Sequence, residues 1–169
     1  MTEPDVLAVV RSAGGGGERE VLETFLDFQR GVVRRKAAGL SDEQARRTPV
    51  PSGTTIAGLL KHLAIVERNW FERILTQQPS DLPAPGPDVS FTVGEDETVE
   101  DLLAAYVAAC ARSREHAAKF ELDHRVPQEE LGQVSLRWVY VHMIEETARH
   151  AGHADILREL TDGSTGVVG

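Results

Sequence analysis

The sequence predicts an all-α protein, a four-helix bundle with a long crossover loop between its second and third helices. Three observations predict it. Four stretches of roughly 20 residues repeat apolar side chains at the spacing of one helix face. No alternating run of strand length stands between them. The connections are short except for residues 78–97, the arrangement of a bundle with one long crossover.

The 169 residues suffice for one domain with a sizeable core. Residues 1–17 are read as a flexible N-terminal arm and glycine linker, 18–163 as the bundle, and 164–169 as a disordered tail. The first helix is expected over roughly 18–38, where Val21, Leu22, Phe25, Phe28, Val32 and Val33 form the stripe and Gly39 ends it. Ser41, followed by Asp42 and Glu43, is placed to open a short extra turn. The second helix is expected over roughly 55–77, capped by Thr54 or Thr55 and buried through Ile56, Leu59, Leu60, Leu63, Val66, Trp70, Phe71 and Ile74. His62 lies on the flank of that face. The stretch from 78 to 97 holds four prolines and two glycines, and loops of this length are usually functional. Thr98 caps a third helix over roughly 99–120, with Glu100 and Asp101 in its first turn, where acids favour the dipole. Ser135 caps the fourth helix and Gly163 ends it.

Composition removes several classes of function. The formal net charge is −9, whereas nucleic-acid binders carry a basic footprint. No apolar run reaches the ~18 residues of a membrane span. The N-terminus lacks the basic n-region of a secretory signal. A single cysteine, Cys110, forbids an internal disulfide and suits a reducing cytoplasm. Cys110 lies on an apolar face and reads as a small buried hydrophobe. There is no glycine-rich phosphate loop after a strand and no Ser-His-Asp pattern. The basic run Arg30, Arg34, Arg35, Lys36, Arg46 and Arg47 could attract an anion, but reads first as a solvated helix end.

The most informative feature is the pair Glu146 and His150 within WVYVHMIEETARHAGHADILREL, residues 138–160. At ~100° per residue, Val139 and Leu157 share one direction, and the pair falls about 20° to either side of it. A carboxylate and an imidazole on a core face are costly without partners. Positions i and i+4 share a helix face, so one metal ion could take both. His62, the sole histidine of the second helix, is the candidate third ligand. Taken alone, a histidine on a helix flank is more often a hydrogen-bonded structural residue. Two histidines and a carboxylate match open catalytic zinc and non-haem iron sites. The spacing is not H-E-x-x-H, and the paired Glu-x-x-His motifs of di-iron bundles are absent. His142 and His153, on the edge of the same arc, are candidates for supporting hydrogen bonds, proton transfer or a fourth ligand. Trp70 and Trp138 could line a pocket, with core the favoured reading for Trp70. His116 and His124 read as solvated.

The segments EREVLETFLDFQRGVVRRKAAGLSDEQARR, VPSGTTIAGLLKHLAIVERNWFERIL and HMIEETARHAGHADILREL resemble the DinB superfamily, in particular its actinobacterial branch of "mini-circle" proteins. The likeness covers residues 18–163. It implies a four-helix bundle holding a divalent metal through three side chains, here His62, Glu146 and His150. Many members carry His-x-x-x-His followed by Arg-Gly. This chain has Glu146 in the first place and Ala151-Gly152-His153 after the pair. The glutamate is similar to that of the mycothiol-dependent maleylpyruvate isomerase. The resemblance implies a metal-dependent enzyme, an S-transferase or isomerase acting with a low-molecular-weight thiol of the mycothiol type on a small molecule. Zinc is the first choice of metal, with nickel, manganese and iron as alternatives. The competing readings are a metal-dependent hydrolase and a non-catalytic, stress-related metal-binding bundle. A homodimer is compatible with either. The expected partners include neither nucleic acid nor membrane, and the expected location is the cytoplasm.

Overall fold

The computed structural model describes residues 6–79, 82 and 87–166. Expectations for residues 1–5, for 80–81 and 83–86 of the crossover, and for 167–169 lie outside the described residues. The chain is mostly helical. Helix α1 (Val6–Ser12) runs into a 3-10 turn, Ala13–Gly15, whose Ala13 is buried. Helix α2 spans Glu18–Ala37 and α3 is the short turn Asp42–Ala45. Ser41 and Gln44 exchange side-chain bonds with each other's backbone N–H, a complete capping box. Helix α4 covers Ile56–Glu67 and continues as a π-helical segment, Arg68–Ile74. A short helix, α5 (Pro87–Phe91), lies within the long connection. Helix α6 is Val99–Ala117 and α7 is Leu136–Asp162.

The caps fall where the residue types place them. Thr55, Thr98 and Ser135 each accept a hydrogen bond from the backbone N–H three residues on. Gly163 ends α7 in the left-handed region, φ 81°, which an L side chain adopts only at a cost. The four long helices pack together, α2 along α7 and α4 along α6, with α4 also against α7.

The expectation of a purely helical chain fails between α6 and α7. Strands β1 (Arg125–Gln128) and β2 (Gly132–Ser135) form an antiparallel hairpin in which Val126 faces Val134 and Pro127 faces Gln133. Both valines are buried. Four residues per strand, with a proline in one, are too few to show a period-2 pattern, so the hairpin leaves little trace in the sequence.

Two apolar clusters fill the interior. One gathers Val33, Leu60, Leu63, Tyr106, Cys110 and Leu157; the other gathers Leu26, Phe71, Val134, Leu136, Val139 and Met143. Between them each long helix contributes a buried polar residue: Arg30, Glu67, Ser113 and Thr147. Arg30 and Glu67 pair through two bonds, at 2.7 and 2.5 Å. Arg30 also reaches Asp27 at 2.8 Å, and Asp27 takes the exposed Arg114 from α6. This corrects the solvated reading of the basic run at two positions. Arg30 is buried because Glu67 compensates its charge, and Lys36 is buried against Asp155 and the Gly166 carbonyl.

Candidate metal centre

Helix α4 carries His62 on its flank and α7 carries Glu146 and His150 one turn apart. The packing of α4 against α7 brings the three together. His62 Nε2 lies 3.2 Å from Glu146 Oε1, and His150 Nε2 lies 3.1 Å from the same oxygen. One potential ligand atom from each residue can be chosen so that all lie within 4.8 Å of one another. The pocket is shielded: His150 is buried, and His62 and Glu146 are largely covered. Hydrogen bonds from His150 and then His62 hold the Glu146 carboxyl far below the ordinary carboxylate range, against burial acting the other way.

The far nitrogen of each imidazole also has a partner. His62 Nδ1 is 3.0 Å from Ser90 Oγ, and His150 Nδ1 is 3.4 Å from His153 Nδ1. Phe91 stacks on the His62 ring, with centroids 4.0 Å apart and planes 12° from parallel. Ser90 and Phe91 both belong to α5. That helix can approach because α4 has Gly58 beneath it: a Cβ there would stand 2.8 Å from the Phe91 carbonyl oxygen. Two nitrogens and one carboxylate oxygen facing one another, with the outer nitrogens anchored elsewhere, fit the donor chemistry of a divalent cation.

Of the surplus histidines, His153 joins the site through His150, whereas His142 stands apart. Its ring lies against Trp70 and Trp138, at centroid distances of 4.6 and 5.1 Å. Burial lowers its pKa, with Glu146 acting in the opposite sense. Trp70 is only in part the core residue expected, since it packs on the edge of the second apolar cluster. It is half-buried, and it lines a cleft. The π-helical turn changes the angle between successive side chains, so a projection at ~100° per residue misplaces residue 70. Ser90 and Phe91 had no signal in the sequence. They sit in an irregular connection where periodicity says nothing about direction.

Comparison with known proteins adds a family and a fold. The sequence model described as "Mycothiol-S-transferase" matches residues 21–163. A crystal structure described as a conserved protein from Enterococcus faecalis superposes with a TM-score of 0.65 at 17% identity, covering 87% of this chain and 98% of that one. At that identity the likeness speaks for the fold. No curated protein matches the sequence.

Proposed function

The chain belongs to the mycothiol S-transferase family, and from that premise we propose a divalent-metal-dependent enzyme that transfers the sulfur of mycothiol to a small electrophile. We read the four long helices as the DinB-like bundle and His62, Glu146 and His150 as the metal ligands. The observation that supports this is the meeting of both Nε2 atoms on Glu146 Oε1. Zinc suits the donor set best, and the proposed location is the cytoplasm. No described helix is long and apolar enough to cross a membrane.

When bound, a divalent cation supplies Lewis-acid chemistry that favours the thiolate of a thiol whose free pKa is ~8.5. The protein's own groups prepare the place. Glu146 stays ionised and offsets cationic charge at the site. With a cation held there, His150 would turn Nε2 to it as a lone pair and keep its proton on Nδ1, toward His153 Nδ1 at 3.4 Å. Ser90 fixes His62 in the same way, and the Phe91 ring holds the imidazole plane. In the transfer, the sulfur–hydrogen bond is exchanged for a sulfur–carbon bond, the electrophile's carbon–leaving-group bond breaks with its electron pair going to the leaving group, and the proton passes to solvent or to that group. No oxidant is required.

Cobalt substitution tests the reading. At neutral pH a simple thiol should produce a sulfur-to-metal charge-transfer band and release one proton per thiol bound. His62→Ala should abolish both signals, and His116→Ala should leave them intact. Absence of the band at millimolar thiol, with cobalt in place, would defeat the thiolate reading.

A further inference from the structure

We infer that the cleft between the π-helical turn Arg68–Ile74 and the β-hairpin binds a polyhydroxylated ring, the amino-sugar and cyclitol part of a glycosyl thiol such as mycothiol. The inference rests on the reading above for the identity of the thiol. The residues that form the subsite are separate from His62, Glu146 and His150.

The cleft measures 670 Å³, within the ~300–1,000 Å³ of small-molecule sites. Its wall holds Asn69, Arg73, Gln77, Gln128 and Glu130 together with Trp70. Such a lining suits neither a phosphate nor an apolar ligand. It mixes amides with charges of both signs, so it offers donors and acceptors together. A ring of hydroxyls presents the same mixture, and its C–H face can lie on an aromatic plane. Among the described residues, Asn69 and Arg73 make no side-chain hydrogen bond or ion pair, although both are half-buried. Half-buried polar groups left without protein partners are suited to bonding a ligand.

The cleft is also held in shape at a cost. Gln77 is the sole non-glycine with positive φ, 55°, among the described residues. Such a conformation costs on the order of 1 kcal/mol or more and persists where its surroundings enforce it. Its side-chain amide donates to the Ile74 carbonyl at 2.6 Å and to the Pro127 carbonyl at 3.3 Å. That amide ties the end of the helix to the hairpin, the two walls of the cleft. Trp70 stands between the cleft and α7. Its ring meets His142, which lies one helical turn before Glu146 on α7. Trp70 follows His62 by eight residues, about 12 Å along a helix at 1.5 Å per residue. A cysteinyl amide puts five bonds between its sulfur and the amino sugar, so the ring at a distance of that order is the second one, the cyclitol.

The test uses the full chain with its metal removed by chelation, so that the subsite is read alone. The chain has two tryptophans, and Trp138→Phe leaves Trp70 as the sole indole. Glucosaminyl-inositol, which carries the rings and no thiol, is the probe. We expect a saturable change in Trp70 fluorescence in the millimolar range. Arg73→Ala and Asn69→Ala should each weaken it about tenfold, the loss of one good hydrogen bond. No saturable change, or unchanged affinity in both variants, overturns the subsite. The cobalt band with N-acetylcysteine, a thiol without sugar, separates this result from the transferase reading. A protein that gives the band but ignores glucosaminyl-inositol keeps the thiolate and loses the subsite. The reverse pattern keeps the subsite and loses the thiolate.

Discussion

Cys110 is the sole thiol of the chain, and its surroundings keep it out of thiol chemistry. Burial pushes its pKa up to about 12, and the nearby Glu67 carboxylate adds to the effect. At pH 8 it should therefore react with an alkylating reagent only after denaturation; rapid labelling of the native protein would contradict the burial. The same shift has a stability consequence. The folded protein keeps this proton to a higher pH than the unfolded chain, so the contribution is complete below pH ~9 and is lost as pH rises toward about 12. Cys110→Ala should flatten that part of the stability curve. Glu146 is the opposite case, a carboxylate kept charged by two imidazoles. Glu146→Gln preserves the shape and removes the charge. Metal affinity should fall at least ~10-fold, the lower end of what even supporting residues cost; equal affinity would leave Glu146 as a structural acceptor. Glu146 and His150 were legible because helix periodicity states a direction, and a charged pair in the apolar direction demands a partner. Arg30 was misread because its compensating charge, Glu67, lies 37 residues away on another helix, and no local pattern announces it.

At the scale of elements, α5 and α4 act on the site together. Gly58 would ordinarily gain up to about 1 kcal/mol of helix propensity on replacement by alanine. Here the new methyl meets the Phe91 carbonyl, and α5 carries both Ser90 and Phe91 against His62. Gly58→Ala should weaken metal binding while leaving the melting temperature within a few degrees. Metal titration checks it, and unchanged affinity would mean that α5 does not orient His62. The central polar layer makes a second claim. Glu67→Ala leaves the buried Arg30 guanidinium with Asp27 alone as its partner and should cost up to ~3–5 kcal/mol, whereas Arg30→Met combined with Glu67→Leu should be close to neutral. Denaturant unfolding distinguishes the two. The helices were legible because their stripes are long and their caps are Thr, Ser and Gly in the expected places. The hairpin and the π-helical turn were not, since one is too short for its period and the other has a different period.

For the whole molecule, the question is how far the proposed metal contributes to the fold. His62 and Glu146 are 84 residues apart in sequence, so an ion held between them would join α4 to α7 across much of the chain. The two apolar clusters draw on all four long helices, and the second also includes the hairpin valines. Neither depends on the site, which argues for a native apo protein rather than a metal-nucleated one. Mass action sets the size of the difference. At free metal 100 times the dissociation constant, binding stabilises by ~2.7 kcal/mol. A domain of this length shifts by ~2–4 °C per kcal/mol, so chelation should lower the melting temperature by about 5–10 °C. The helical circular dichroism at 25 °C should be unchanged. Loss of that signal on chelation would make the metal a folding element. An unchanged melting temperature, with metal shown to have been bound beforehand, would mean that the ion sits at a place the fold does not couple to, and His62, Glu146 and His150 would no longer be its ligands.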